Sequence, residues 1–240
     1  MKKQIINYSP VLDGLKQYHG STMLGHFGDD DPWQTLIATI LSARSRDETT
    51  EIVARDLFKR YPDCASLAVA PVRSVERIVK RTGFYKTKAR RIIQVSRILM
   101  KQAGGVVPSD LDGLLSLPGV GRKTAACVLV YAFGKPAIPV DTHVHRISNR
   151  LGWVKTKTPE QTEEGLRSLI AEQDWLMIND LLVFHGKNVC KPIRPLCTIC
   201  CIEPHCAKIL KKSKVERRAS LPAGSARGKI HRARRPAAPG

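Results

Sequence analysis

Two apolar stretches joined by one tight turn set the strongest limit on how this chain can fold. They read DLDGLLSL, then PGVG, then RKTAACVLVYAF, from Asp110 to Phe133. A joint this short permits only two helices lying against each other. Gly119 and Gly121 can take backbone angles closed to other residues and leave the neighbouring amides uncovered. Those amides stand at a helix N-terminus, where free N–H groups and the dipole favour an anion. A nucleic-acid phosphate fits there without any base being read, and so does a bare αα-corner whose glycines serve sterics alone. Arg122 and Lys123 favour the first reading. Cations in a first helical turn oppose the dipole unless an anion or a chemical task compensates.

Almost every other segment also reads as helix. Asp31-Pro32 sets a cap and first-turn proline before WQTLIATILSAR. Asp47 can cap ETTEIVARDLFKRY, Asp63 caps CASLAVA, and Pro71 reopens helix for VRSVERIVKR. Lys86–Gln102, THVHRISNRL after Asp141, the segment after Thr158-Pro159, and Asp174–His185 follow. The last of these places Trp175, Ile178, Leu181 and Leu182 on one buried face. Alternating strand patterns with hairpin turns are absent, so the fold class is all-α.

The charge narrows the partner. The 240 residues carry 40 Lys+Arg against 21 Asp+Glu, a formal +19. The last thirty residues hold ten Lys/Arg and one Glu, which leaves +10 on the remainder. A basic folded part argues for a polyanion, and nucleic acid is the usual one. From Lys212 the composition turns to Ser, Ala, Arg, Pro and Gly, too poor in apolar residues for a core, so a disordered basic tail is expected at 212–240. The longest apolar run, Ala125–Phe133, is far shorter than the roughly 20 residues of a membrane helix. No signal peptide is visible after Met1-Lys2-Lys3, so an intracellular, cytoplasmic and nucleoid-associated protein is expected, without membrane partners and monomeric, its seven cysteines reduced or metal-bound.

Lys123 and Asp141 form the second constellation. From Lys123 to Phe133 a helix advances about 15 Å. The eight steps through GKPAIPV can return about 26 Å, and Pro136 and Pro139 keep them from becoming helix. Asp141 can therefore come back beside Lys123. A lysine at a helix N-terminus in a positive environment has its charged form disfavoured, and a neutral amine is a nucleophile. The alternative is plain: Asp141 only caps the next helix and Lys123 is a solvated cation. One aspartate can both cap and catalyse.

Cys190, Cys197, Cys200 and Cys206 follow C-x6-C-x2-C-x5-C. Four thiols this close in a reduced compartment point to metal, with zinc and an iron–sulfur cluster both open from spacing alone. Cys201 is a spare that leaves the ligand choice ambiguous, and Cys127 reads as core. Lys191 and Arg194, in KPIRPL between the first two ligands, stand on a short basic loop suited to a phosphate backbone.

Taken together, LPGVGRKTA, VDTH eighteen residues beyond the lysine, and the cysteine pattern resemble the endonuclease III family of helix–hairpin–helix DNA glycosylases. LSARSRD, TGFYKTKA and LVFHGKNVC extend the resemblance over roughly residues 1–210. It implies two helical domains flanking a DNA cleft. The helical barrel is 25–135, with the hairpin near 110–131; the cluster domain is 136–211 joined by 1–24. It implies Lys123 as nucleophile, Asp141 as catalytic carboxylate, and a 4Fe–4S cluster on the four cysteines. The implied activity is bifunctional: glycosylase action on oxidised or reduced pyrimidines in damaged double-stranded DNA, then lyase cleavage through a lysine Schiff base. Carbonyls of Leu115, Leu117 and Val120 match positions that hold a monovalent cation when DNA is bound. Phe84 matches an apolar wedge that fills the gap left by the extruded nucleotide. Lys86 and Lys88, with Arg90 and Arg91, crowd the next helix start, where a DNA backbone would compensate them. At Arg44 the family commonly carries glutamine, so both length and charge depart from its pattern.

Two relatives of that family fit less well. An adenine-removing branch needs a catalytic glutamate between Trp33 and Arg46, where no acid occurs, and a thymine-mismatch branch has tyrosine in place of Lys123. A non-catalytic, metal-stapled DNA-binding module is the reading from another class, and it has no need of the Lys123–Asp141 pair.

Overall fold

The computed structural model describes residues 6–18 and 31–210, and these contain helices and turns but no β-strand. Eleven α-helices are described. They are α1 (Ser9–Lys16), α2 (Pro32–Ser42), α3 (Asp47–Arg60), α4 (Cys64–Ala68), α5 (Val72–Val79) and α6 (Tyr85–Ala103). Then come α7 (Leu111–Leu115), α8 (Arg122–Phe133), α9 (Thr142–Leu151), α10 (Pro159–Leu169) and α11 (Trp175–Asn188). Single 3-10 turns at Cys197–Ile199 and Glu203–His205 carry the chain past the cysteines. The basic tail expected at 212–240 lies outside the described residues, as do 1–5 and 19–24 of the N-terminal segment.

Helix starts fall largely where short polar side chains can satisfy orphan amides. Asp31 accepts the Trp33 amide at 2.8 Å and Asp110 that of Gly113 at 2.8 Å. Asp63 and Ser66 form a reciprocal capping box. Asp47 departs from expectation. It is the first helical residue of α3, the cap is Arg46 with no side-chain bond, and its carboxylate is left free for another partner.

The apolar faces gather into two cores. One is built from α2 to α8, with Leu36, Ile37, Leu41, Leu57, Ile92 and Leu114 all fully or almost fully buried. Burial of each such side chain contributes roughly 1.5–3 kcal/mol. The other joins Val11, Leu12 and Leu15 of α1 to α9, α10, α11 and Ile202. Trp175, Ile178, Leu181 and Leu182 belong to it together, as their helical spacing requires. The N-terminal helix thus packs with the C-terminal ones, and the cores part between Leu129 and Ile138. On that division we propose the boundary near 135. Hydrogen bonds tie the halves: the Tyr131 hydroxyl donates to Asn179 at 2.9 Å and to Asp180.

Candidate active site

Gly134, left-handed at φ 59°, ends α8 and starts the extended return to α9. Asn179 of α11 anchors that return by donating to the Pro139 carbonyl at 2.8 Å, and Val140 is buried beneath it. Asp141 then caps α9, one carboxylate oxygen accepting the His143 and Val144 amides, each at 2.8 Å. Lys123, in the first turn of α8, and Asp141 line one cleft of about 710 Å³, together with Arg44, Asp47, His143 and Lys187. Both are half-buried. The rim is closed by an ion pair between Asp47 and Lys187, so α3 and α11 meet across it.

The charge state of Lys123 differs from the expectation of a depressed amine. Burial opposes its charge, but a hydrogen bond to the Cys127 sulfur and the nearby Asp141 and Asp47 side chains favour it, and the amine is held above the ordinary lysine value. Burial pushes the Cys127 thiol up, so it meets the lysine as a neutral group. His143 moves the other way, lowered by burial with Arg146 and Lys187 adding to the effect. At neutral pH the cleft therefore presents an ammonium and a neutral imidazole beside Asp141.

The hairpin has its expected form, α7 and α8 joined at Gly119 with φ 79°. A side chain at Gly119 would also collide with Arg91, whose Cδ lies 2.5 Å from the position of a Cβ. Gly121 opens α8 as its cap, with open space where a Cβ would point. The Leu117 carbonyl accepts the Val120 amide at 3.1 Å, keeping one lone pair uncommitted, while the Leu117 and Val120 side chains are buried and Leu115 half-buried. Arg122 is not a bare cation. Its Nε and Nη2 donate to Glu163 of α10 at 3.1 and 3.0 Å, and Glu163 is only 14% exposed. Phosphate contact by Arg122 thus requires displacing a carboxylate. Glu163→Gln is expected to tighten duplex binding at low salt and steepen the plot of log affinity against log salt by about one. An unchanged slope would take Arg122 off the DNA.

Arg44 and Phe84 are exposed and face each other, the guanidinium carbon 5.3 Å from the ring centroid. Both are left-handed, at φ 55° and 57°, a conformation rare for such residues. Among the described residues only Arg194 and Lys208 share it outside glycine. Three of these four had been singled out from sequence as DNA contacts, and strain of this kind gathers at functional sites. Lys86, Lys191 and Arg194 are exposed as expected. Lys88 is not. It is 4% exposed and donates inward to the Leu41 carbonyl at 2.7 Å and the Ser45 hydroxyl at 2.8 Å. The helix period turns position 88 to the core side of α6, which the crowding of cations concealed, so the expected phosphate contact is corrected to an internal one.

None of the seven cysteines is in a disulfide. Cys190, Cys200, Cys206 and the spare Cys201 pack against the second core, and Cys197 opens the 3-10 turn beside them. Burial pushes Cys200 up to about 11, and the Cys201, Cys206 and Cys190 sulfurs nearby push the same way. Cys206 is raised by burial, and by Cys190 and Cys197. The four sulfurs thus share one neighbourhood, although among the described residues no three metal-ligating side chains stand ready-closed around an ion. Arg150 of α9 fastens the basic loop from outside, donating to the Cys190 sulfur at 3.3 Å and to the Lys191 and Pro192 carbonyls at 2.7 Å. Sequence reasoning had not marked Glu163, Asn179, His143 or Lys187. Only His143, inside VDTH, and Lys187, inside LVFHGKNVC, stood in a motif.

The geometry defines a class, a helix–hairpin–helix protein with a lysine and an aspartate in one cleft between two helical cores. A family model described as HhH-GPD superfamily base excision DNA repair protein matches residues 37–172. Endonuclease III of Thermotoga maritima is 50% identical over 188 residues, covering 78% of this chain and 88% of that protein. Endonuclease III of Escherichia coli is 38% identical over 175 residues, covering 73% and 83%. A trapped endonuclease III–DNA covalent intermediate superposes with TM-score 0.73 at 33% identity, over 84% of this chain and 96% of that one. A thermostable thymine-DNA glycosylase reaches the same TM-score at 25% identity, over 83% and 93%. The chain belongs to the endonuclease III family of the HhH-GPD superfamily.

Proposed function

We propose that Lys123 and Asp141 carry the base-excision chemistry of this family in the chain, which acts as a bifunctional DNA N-glycosylase and abasic-site lyase on oxidised or reduced pyrimidines. One observation carries the reading: two residues eighteen apart are returned to one cleft beside the hairpin. The Lys123 amine, once it has lost a proton, attacks C1′ of the damaged nucleotide. The C1′–N bond breaks and the base leaves with its electron pair. Asp141 assists the amine and stabilises the cationic sugar. The lysine nitrogen, having given up a proton, then opens the sugar: C1′=N forms as C1′–O4′ breaks and O4′ takes a proton. The resulting Schiff base makes the C2′ proton acidic, and its loss expels the 3′ phosphate. Phe84 and Arg44 would enter the gap left by the nucleotide, while Lys86, Lys191, Arg194 and the Gly119–Gly121 amides hold the backbone. Carbonyls of Leu115, Leu117 and Val120 would take a monovalent cation beneath the turn.

Cys190, Cys197, Cys200 and Cys206 would hold a 4Fe–4S cluster, whose contribution is to cross-link the segment that carries Lys191 and Arg194. Four half-buried cysteines, none in a disulfide, with an arginine donor at one sulfur, suit a site that exchanges thiol protons for metal. Cys197→Ser is expected to lose iron and the visible absorbance of the purified protein, and Cys201→Ser to keep both. The reverse result would exchange their roles.

No helix among the described residues is long and apolar enough to cross a membrane. A monomer working on chromosomal DNA is the assembly we infer. Borohydride trapping on a duplex with one thymine glycol tests the reading as a whole. A covalent adduct with the native protein supports it, and binding of the same DNA without adduct points to a different lesion or to a non-catalytic module.

A further inference from the structure

We propose that Lys88 is a positioning residue that joins the Arg44 turn to the Phe84 turn, so that both side chains enter the duplex as one unit. The inference deepens the reading above and rests on it in one respect, that Arg44 and Phe84 face the space left by the extruded nucleotide.

The two turns come from distant parts of the chain. The Arg44 turn follows α2, and the Phe84 turn precedes α6. Lys88 sits one helical turn into α6, and its ammonium reaches the last turn of α2 at Leu41 and the hydroxyl of Ser45. The same hydroxyl accepts the Gly83 amide at 3.2 Å. Gly83 in turn lies against the Arg44 backbone, whose carbonyl oxygen is 2.9 Å from where a Cβ on Gly83 would stand. Lysine, serine and glycine thus form a short chain of contacts beneath Arg44 and Phe84, which stack above it at 5.3 Å. Both upper residues hold a sparsely populated backbone conformation, which persists only where the surroundings over-determine it.

A lysine is an unexpected choice for mere filling. No carboxylate pairs with it among the described residues, and its burial draws the amine down to about 8. An apolar side chain of similar length would fill the volume without the desolvation penalty. What only the ammonium supplies is several donors at one point, shared between a helix-end carbonyl and a hydroxyl that serves the opposite turn. A structural part of this role is plain, since a cation at the carboxyl end of α2 complements its dipole. That part alone would affect every activity of the protein equally. Joining the two turns would affect only steps that need the wedge.

The test compares two reactions of the full-length protein under single-turnover conditions at saturating protein. One is base release from a duplex with a paired thymine glycol. The other is borohydride trapping on a duplex with a preformed abasic site, where no base has to be drawn from the stack. Lys88→Met is expected to slow base release by about tenfold or more while trapping stays within about threefold of native. Ser45→Ala, which keeps the lysine and removes the shared acceptor, is expected to split the reactions in the same direction, and it carries the comparison if Lys88→Met fails to fold. Equal loss in both reactions, or loss in neither, would overturn the inference. Failure of the native protein to trap at all would instead sink the catalytic reading of Lys123, which the native control shows separately.

Discussion

Lys123→Ala is expected to leave no covalent adduct after borohydride treatment of a duplex carrying one thymine glycol, with base release and strand cleavage at background. Loss of an amine that forms the covalent intermediate removes the reaction path rather than weakening it. Folding should survive, because Lys123 stands in the first turn of a helix whose residues from Ala125 to Val130 are buried in the core. Duplex affinity should survive too. Trapping by the variant at the native level would move the nucleophile elsewhere. The raised amine adds a pH dependence. Since Lys123 is held above the ordinary lysine value, the neutral fraction grows about tenfold per pH unit through neutrality. The native single-turnover rate should climb with pH over that range, and a flat profile would mean that DNA binding itself depresses the amine.

Asp141→Asn separates two effects that its position combines. The amide keeps an oxygen for the His143 and Val144 amides, and asparagine caps about as well as aspartate, so the melting temperature should hardly move. Asp141→Ala would forfeit the cap as well, at a cost of about 1 kcal/mol. The electrostatic consequence has the opposite sign to the catalytic one. Asp141 favours the ammonium of Lys123, so removing its charge lowers the amine and increases the free nucleophile. If that were all Asp141 did, Asp141→Asn would be the faster enzyme. A carboxylate that also takes the proton and stabilises the sugar cation makes it slower, by about 10²–10⁴-fold. Single-turnover base release measured beside the melting curve decides between them. A faster variant would reduce Asp141 to a cap.

The helical class, the caps at Asp31, Asp63 and Asp141, and the hairpin at Gly119 were legible because each depends on residues a few positions apart. The Lys123–Asp141 encounter was legible for a similar reason, since helix rise and an extended return of known reach bound the distance. Lys88 misled because four cations within six residues look like one exposed patch, and only helix phase against a real core shows which one turns inward. Arg122 looked free because Glu163 lies forty-one residues away, on a helix that no local pattern brings to the hairpin. The lysine amine was read as depressed because Asp47 and Cys127 were not yet known to stand beside it.

Local chemistry by itself therefore determined which segments are helices, where they begin, which four thiols are neighbours along the chain, and that a lysine and an aspartate can meet. Tertiary structure decided which charges are compensated. It placed Glu163 on Arg122, Lys187 on Asp47 and Lys88 under two strained turns. The reason is physical. Backbone preference and capping act over one helical turn, whereas the ionisation and availability of a side chain depend on every group packed within several ångströms of it, whatever its distance in sequence.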